Sequence, residues 1–306
     1  MPEGSLTSVP GVRVGHWTNA VAATGVTVMV FPEPNIAAFE ARGAAPGTRE
    51  TALLAPDKKV EMVQAIVFAG GSAFGLDAAS GVVAEVEREG RGHPTPAALV
   101  PIVPAAILYD LVVGDGSVRP DAAAGAAAYR AAHSGPVEVG SVGAGTGATA
   151  AKWRGREHIV RAGVGSAAVR AGDAIVGCLV VVNAMGDVFD VDGTPITGGP
   201  PAPGPPAFAT SELMNTTLVT VATDAKLDRV GLIRLVVRAH DAIGACLRPA
   251  HTRYDGDAVF AVSCGERMAD PDALGEAAFA ATAAAIVDGV ASADEGPVPW
   301  DPKVVL

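Results

Sequence analysis

The sequence predicts an α/β layered sandwich, in which sheets and helices stack on one another, rather than a doubly wound parallel sheet. Short β-rich runs dominate the early chain, as in VRVGHW (12–17) and GVTVMVF (25–31). Alanine-rich segments with helical spacing follow, and strands and helices mix without a regular β-α-β repeat. The 306 residues are enough for one large domain or two modest ones with a sizeable core.

Each further element is predicted from its local pattern. EMVQAIVFAGG (61–71) predicts a strand, and the apolar spacing after it predicts a helix that ends at Gly90 or Gly92. DAIVGCLVVVNAMGDVFDVDG (173–193) predicts two strands joined near residues 184–186. The remaining predicted elements are helices at 120–133, 228–248 and 270–290 and a strand at 258–264.

The segment around residue 216 combines a loose lead-in with a buried strand. Residues 193–210, GTPITGGPPAPGPPAFAT, are too rich in proline and glycine for a helix or a central strand and predict a linker. Residues 216–225 predict a strand from their β-branched residues, and this strand opens with Asn215-Thr216-Thr217. Hydroxyl residues at such a place are either turn residues or a nucleophile beside its own peptide bond.

Composition argues against several classes of protein. Hydrophobic residues are 49% of the chain and charged residues 18%, as in a folded globular protein. A net charge of −11 without a Lys/Arg cluster argues against a nucleic-acid groove. Three cysteines without a C-x-x-C pair predict buried thiols in a reducing compartment. Because no signal-peptide pattern and no uninterrupted apolar run of about 18 residues is present, we expect a cytoplasmic protein.

Two glycine-rich segments resemble nucleotide-binding loops but depart from their patterns. AGGSAFGLD (69–77) has no lysine where a phosphate loop needs one, which favours tight strand-to-helix packing; main-chain amides aimed at a carbonyl oxygen stay an alternative. VGAGTGATAAKW (142–153) has glycines at 143, 145 and 147, which is the wrong spacing for a dinucleotide fingerprint. Its favoured functional interpretation is a loop that lets the main chain approach a ligand and that carries Lys152.

Common hydrolase motifs are absent from the sequence. Ser72 is followed by Ala73-Phe74 where a nucleophile elbow needs a glycine, and the six histidines form no HExxH or HxxxH pattern. His251 is therefore interpreted as a loop histidine. In YDGDAVF (254–260), Asp255 and Asp257 flank a glycine. They are either ordinary turn residues or a pair that orients a hydroxyl or holds an ammonium group.

Together these segments resemble the DmpA-type aminopeptidase family, whose relatives include β-peptidyl aminopeptidases and nylon-oligomer hydrolases. The resemblance runs over nearly the whole chain, including GVRVGHWTN, FAGGSAFGLDAASGV, GSVGAGTGATAAKW, VVVNAMGDVFD, NTTLVTVATDAKL and HTRYDGDAVFAVS. It implies an αββα four-layer sandwich of the N-terminal-nucleophile kind. It also implies one domain, 1–306, that cuts itself into a long chain, 1–215, and a short chain, 216–306.

The resemblance assigns roles to particular residues. Thr216 matches the nucleophile and Asn215 the residue before the scissile bond; the aminopeptidase branch has glycine and serine there, and the nylon-hydrolase branch matches better. Lys152 matches a catalytic lysine, and Asn183 matches an oxyanion-stabilising asparagine. The other matches are Tyr109 with a pocket tyrosine, and Asp255 and Asp257 with the aspartates of the nylon-hydrolase branch.

The chemistry of these residues fits an amidohydrolase that needs no metal and no organic cofactor. Thr216 would attack the carbonyl of Asn215, and cleavage would free an α-amino group whose reference pKa of about 7.7–8.0 suits a base near neutrality. Lys152 would lower that pKa by charge repulsion, and Asn183 would donate to the oxyanion. The expected substrate is a small peptide or amide.

The resemblance also implies that cleaved heterodimers associate into a homo-oligomer, as a tetramer in relatives. The alanine-rich helices offer small faces that suit such packing and suit an internal core equally well. An acyl transferase like the ornithine acetyltransferases, which share this fold and a self-cleaved threonine, is the alternative enzyme. A non-catalytic scaffold is the third interpretation, and an unprocessed chain would favour it.

Overall fold

The computed structural model describes residues 4–199, 204–207 and 215–301. Within these ranges there are four α-helices: α1 (Ala78–Arg88), α2 (Ala122–Arg130), α3 (Arg229–Cys246) and α4 (Pro271–Ala291). The strands in the same ranges are, in chain order, β1 (Arg13–Asn19), β2 (Thr24–Val30), β3 (Ile36–Ala41), β4 (Thr48–Arg49), β5 (Ala65–Ala69), β6 (His93–Pro94), β7 (Leu99–Val100), β8 (Ala105–Ile107), β9 (Thr149–Ala150), β10 (Val160–Arg161), β11 (Val164–Ala171), β12 (Ala174–Asn183), β13 (Asp187–Val188), β14 (Thr216–Ala225), β15 (Leu247–Arg248) and β16 (Ala258–Arg267). Short 3₁₀ helices lie at Leu6–Ser8, Thr51–Leu54, Ser72–Asp77, Gly143–Gly145 and Arg156–His158.

Ten of these strands form two mixed five-stranded sheets. The first has the order β1-β2-β5-β8-β4, and the second has the order β11-β12-β14-β16-β3. In the second sheet β14 runs antiparallel to β12 and parallel to β16. Helices α1 and α2 cover the first sheet, and α3 and α4 cover the second. The layers are therefore helix, sheet, sheet, helix, which confirms the predicted αββα sandwich.

The space between the two sheets is filled by large apolar side chains. Met29, Ile66 and Phe68 from the first sheet meet Leu218 and Phe260 from the second in one buried cluster. The rings of Phe68 and Phe260 lie with their centroids 5.9 Å apart. All ten residues of β14 are buried, because this strand is central in its sheet and covered on both faces.

The alanine-rich helices use their small faces inside the molecule. A Cβ added at Gly81 of α1 would lie 1.7 Å from the carbonyl oxygen of Ala122, and one at Gly125 of α2 would lie 1.8 Å from that of Ala78. These distances require glycine, since the two helices cross with main chain against main chain. The small residues of α1 and α2 therefore serve the contact between these two helices, and the buried alanines of α4 belong to the core beside the second sheet.

Helix α4 is, by length and composition, apolar enough to cross a membrane, and it is the one such helix among the described residues. It packs on β11 and β12 and against α3, and its buried residues belong to the core on that side of the second sheet. Its surroundings are those of a core helix.

Most of the predicted elements are confirmed within a few residues. The strand predicted at 216–225 is β14, and the helix predicted to end at Gly90 or Gly92 is a 3₁₀ turn followed by α1. The second strand predicted in 173–193 is shorter than expected, since β13 has two residues, which pair with β15. Residues 200–203 and 208–214, which include seven of the 18 residues of the predicted linker, lie outside the described residues.

Candidate active site

Thr216 is the first residue of β14, at the point where three strand ends meet. In the antiparallel ladder with β12 it stands opposite Asn183, the last residue of that strand. On the other side, Asn215 forms a parallel bridge with Asp255, just before β16. Thr216 and Asn215 are both buried. The register of the second sheet therefore places residues from distant parts of the sequence around one peptide bond.

The main chain of Asn215 is held on both of its polar sides. Its amide donates a hydrogen bond to the carbonyl oxygen of Tyr254 (3.0 Å), and its own carbonyl oxygen accepts one from the amide of Gly256 (2.7 Å). The hydroxyl of Thr216 donates to the same carbonyl oxygen at 2.5 Å. The hydroxyl is thus in contact with the carbonyl group of the preceding residue.

Lys152, in the loop after β9, contacts Asn183, the residue that stands opposite Thr216. The side chain is 3% exposed, and its Nζ donates to the carbonyl oxygen of Thr149 (2.9 Å) and to the Oδ1 (2.9 Å) and carbonyl oxygen (3.3 Å) of Asn183. Burial lowers the pKa of Lys152 from 10.5 to about 7, and the charge of Asp255 opposes this shift in part. Near neutrality Lys152 can therefore both hold and release a proton.

Asn183 connects Lys152 with the segment that carries Tyr109. The Oδ1 of Asn183 accepts from Lys152 and from the amide of Thr149 (3.1 Å), and its Nδ2 donates to the carbonyl oxygen of Tyr109 (3.1 Å). The half-buried side chain of Tyr109 packs against a small apolar cluster that includes Val113. Asn183 is 1% exposed, so its carboxamide orientation is fixed by these contacts.

Asp255 is buried at the turn before β16 and 2% exposed. Its Oδ2 accepts from the amide (2.9 Å) and the hydroxyl (2.5 Å) of Thr252, and its Oδ1 accepts from the amide of Met185 (3.4 Å). Burial, together with the neighbouring charge of Asp257, raises the pKa of Asp255 from 3.8 to about 6. Asp255 is thus a buried group with a perturbed pKa, unlike an exposed turn carboxylate.

Asp257 is 1% exposed and fixes the main chain that follows Thr216. Its Oδ1 accepts from the amide of Thr217 (2.7 Å), and its Oδ2 accepts from the amide of His251 (3.0 Å) and lies 2.8 Å from the ring Nδ1 of His251. The ring of His251 stands edge-on to that of His240, with centroids 4.9 Å apart. Asp257 therefore ties the start of β14 to the loop at His251.

His251 and Gly256 belong to this site, although the sequence patterns assign neither of them a role there. The sequence indicates a loop histidine at His251 and a spacer between two acids at Gly256. Their contacts depend on the register between β14 and β16, which no local pattern reports. The only available signal was their closeness in sequence to Asp255 and Asp257.

The two glycine-rich loops pack against the chain itself. A Cβ at Gly75 would lie 1.9 Å from the carbonyl oxygen of Gly70, which confirms the prediction of tight packing at 69–77. A Cβ at Gly147 would lie 2.1 Å from the carbonyl oxygen of Ala23. Between the loops lies Asp110, which accepts from the amide of Gly71 (2.7 Å) and from a threonine hydroxyl (2.7 Å). Burial raises the pKa of Asp110 to about 6.

The site as a whole offers a hydroxyl, an amine with a lowered pKa, a carboxamide and two buried carboxylates. The hydroxyl of Thr216 is a nucleophile if a base takes its proton. The charge of the Lys152 amine can shift the pKa of such a base. Main-chain and side-chain amides can stabilise negative charge on a carbonyl oxygen. No group of three or more His, Cys, Asp or Glu within the described ranges is placed to hold a metal ion.

Solved structures with this architecture define the class of protein. The L-aminopeptidase D-Ala-esterase/amidase of Ochrobactrum anthropi, described as a variant of the Ntn hydrolase fold, superposes with a TM-score of 0.77 and 23% identity over 95% of this chain and 86% of that one. A β-aminopeptidase of a Burkholderia species gives a TM-score of 0.74 and 22% identity over 97% and 90%. The fold is thus that of the N-terminal-nucleophile hydrolases.

The chain belongs to peptidase family S58, whose model matches residues 4–298. An uncharacterized aminopeptidase of Mycobacterium leprae is 39% identical over 324 aligned positions, which cover 96% of this chain and 88% of that protein. A 6-aminohexanoate-oligomer endohydrolase of Paenarthrobacter ureafaciens is 32% identical over 274 positions, covering 84% and 74%. The protein is therefore a peptidase or amidohydrolase of the N-terminal-nucleophile type, and the resemblance seen in the sequence is confirmed.

Proposed function

We propose that the protein is a self-cleaving amidohydrolase whose nucleophile is the hydroxyl of Thr216. The observation that carries this proposal is the contact of that hydroxyl with the carbonyl oxygen of Asn215, 2.5 Å away, at the first residue of a central strand. A threonine in the middle of a strand could contribute to the fold without such a contact. Thr216 stands at the start of its strand, where its hydroxyl can attack the peptide bond before it.

Self-cleavage would first move the Asn215 acyl group from nitrogen to oxygen. The Oγ1 of Thr216 forms a bond with the carbonyl carbon, the amide C–N bond breaks, and the hydroxyl proton passes to the leaving nitrogen. Water then hydrolyses the ester, leaving a carboxylate on Asn215 and restoring the hydroxyl. The products are residues 1–215 and 216–306, the second beginning with a free amine.

In the cleaved enzyme the new α-amino group would be the general base for its own hydroxyl. Its reference pKa of about 7.7–8.0 lies close to neutrality, where a base is most effective. Lys152 lowers that pKa when it is protonated, and ionised Asp255 and Asp257 oppose it. Asn183 holds Lys152 in place and supplies a carboxamide that can act on the substrate oxyanion once the main chain before Thr216 has left.

The proposed substrates are short peptides or linear amide oligomers. Relatives named as aminopeptidases and as 6-aminohexanoate-oligomer endohydrolases support this class. The sequence features that match the nylon-hydrolase branch, Asn215-Thr216 and the two aspartates, favour linear amides. Tyr109, packed against an apolar cluster, is proposed to contact the apolar part of the substrate.

The test is a set of single variants of the full chain. We expect Thr216→Ala to remain at full length by intact-mass measurement and to lack amidase activity, while Thr216→Ser and Thr216→Cys retain part of both. Thr220→Val is the matched control, since its hydroxyl is buried in the same strand with no hydrogen-bond partner among the described residues. Cleavage of Thr216→Ala at the same bond would refute the assignment.

Activity is measured on aminoacyl anilides, β-peptides and linear 6-aminohexanoate oligomers, with and without ornithine as acyl acceptor. Hydrolysis without ornithine supports the amidohydrolase, and product formed only with ornithine would identify an acyl transferase instead.

We also propose that cleaved heterodimers associate into a homo-oligomer. The support is the resemblance to the family alone, because the small faces of the alanine-rich helices are used in the core. Light scattering measures the mass, and a particle of about 30 kDa at all micromolar concentrations would reject association.

A further inference from the structure

The carbonyl oxygen of Asn215 receives a main-chain hydrogen bond from the turn between the two buried aspartates. The donor is the amide of Gly256, 2.7 Å away, and the bond belongs to the parallel bridge between Asn215 and Asp255. This isolated bridge keeps the register of the β14–β16 ladder, three residues before its first pair, Leu218 with Ala258. The pairing of the two segments therefore places a main-chain donor on the carbonyl group before Thr216.

The amide of Gly256 is in contact with this oxygen, whereas the side chain of Asn183 is engaged elsewhere. The Nδ2 of Asn183 donates to the carbonyl oxygen of Tyr109 at 3.1 Å, and its Oδ1 receives Lys152. When negative charge develops on the Asn215 oxygen, a donor already at hydrogen-bond distance gains strength without reorganisation.

The surroundings of Gly256 fix the direction of its amide and exclude a side chain. A Cβ at this position would lie 2.8 Å from the hydroxyl of Thr216 and 2.8 Å from the carbonyl oxygen of Ala45. On either side, Asp255 is held by Thr252 and Asp257 by His251. These contacts make the turn rigid, which is what a preorganised donor needs.

We propose that the main-chain N–H of Gly256 is the oxyanion donor for self-cleavage at Asn215-Thr216. This inference rests on the self-cleavage proposed above. During attack by the Thr216 hydroxyl, the π electrons of the carbonyl move onto oxygen, where the Gly256 amide stabilises them. These electrons re-form the carbonyl when the C–N bond breaks, and the proton of the Thr216 hydroxyl passes to the nitrogen of Thr216. The two aspartates hold the turn that aims this donor.

The experiment replaces the Gly256 amide by an ester. Glycolic acid is incorporated at residue 256 of the full chain by nonsense suppression in cell-free translation, which removes the N–H and little else. The matched control has lactic acid in place of Ala45, whose amide donates to the Asp255 carbonyl at 2.9 Å. Both esters weaken that same turn contact, and only the first removes the donor to the Asn215 oxygen. Conversion of the full chain is followed on gels over time.

We expect the Gly256 ester to be cleaved about a hundredfold or more slowly, the loss found when one oxyanion donor is removed, while the Ala45 ester stays within about threefold of the unmodified chain. Equal rates for the two esters would overturn the inference and leave self-cleavage intact. An unmodified chain that never cleaves would overturn both. Protease resistance reports folding, and if the Gly256 ester is protease-sensitive the pair is repeated with Gly244→Ala, for which α3 has open space.

Discussion

Replacing Asp257 by asparagine keeps the shape of the side chain but changes what it can accept. The carboxylate receives two main-chain amides, those of Thr217 (2.7 Å) and His251 (3.0 Å), and contacts the His251 ring at 2.8 Å. An asparagine has one acceptor oxygen and one NH₂ group, so its nitrogen must face one of these amide donors. One buried main-chain N–H then loses its partner.

The expected cost follows from that count. A buried donor without a partner costs about 1–3 kcal/mol, so the free energy of unfolding should fall by about 2 kcal/mol. Displacing the chain at Thr217 also moves Thr216, and a shift of this kind reduces the rate by about a hundredfold. Because a nearby carboxylate favours the protonated amine, its removal should also lower the pKa that limits kcat/KM.

Two measurements separate these effects. Urea unfolding compares Thr216→Ala with Thr216→Ala/Asp257→Asn, so that both chains are expected to be uncut. The pH–rate profile is recorded on Asp257→Asn confirmed by mass as fully cleaved. The control is Asp192→Asn, an exposed carboxylate that accepts the amide of Thr194 at 2.8 Å and should change unfolding by less than about 0.5 kcal/mol. An unchanged unfolding free energy and profile for Asp257→Asn would refute this account.

Three further results are expected. Asp110→Asn should be more stable than wild type by up to about 3 kcal/mol above pH 6 and similar to it near pH 4. Burial raises the carboxyl pKa of Asp110 to about 6, so its ionisation costs stability as the pH rises through that value. Urea unfolding at both pH values checks this, and a pH-independent difference would contradict it. Asp255→Asn removes a negative charge near Lys152 and should therefore lower the pKa of Lys152 below about 7. In fully cleaved protein the acidic limb of the kcat/KM profile should move to lower pH, and a shift to higher pH would contradict this. Gly81→Ala should lower the melting temperature, because overpacking costs about 1–3 kcal/mol, whereas Gly244→Ala in open space should raise it, because alanine gains about 0.8 kcal/mol of helix propensity over glycine. Equal melting temperatures would show that the helix contact is looser than the 1.7 Å between an added Cβ and the Ala122 oxygen implies.

The sequence predicts the helices and strands of this fold better than it predicts which strands pair and in which register. The strand at 216–225 is visible in its own β-branched pattern, and its burial on both faces follows from its apolar content. That Asn183 stands opposite Thr216, or that Asp255 pairs with Asn215, depends on strand order and register in a mixed sheet. Local patterns do not contain this information.

The candidate site shows the same division. The resemblance to the family identifies Lys152 and Asn183 as site residues, and the structure adds that the Lys152 amine donates to the Oδ1 of Asn183 at 2.9 Å. The sequence does not identify His251 or Gly256 as site residues. His251 acts through the carboxylate of Asp257, and Gly256 acts through its main chain. A main-chain donor has no side chain by which a sequence pattern could identify it.

The position of β14 has a consequence for how the molecule is made. The strands of the second sheet contributed by residues 216–306, β14 and β16, lie between β12 and β3, which come from the first 215 residues. If the bond before Thr216 is cut, neither piece can leave without breaking ladders on both flanks of that pair. Refolding from denaturant would then require two chains to meet, so recovery would depend on protein concentration. In that case folding would precede the cut, and the cleaved molecule would persist through slow unfolding rather than through its capacity to refold.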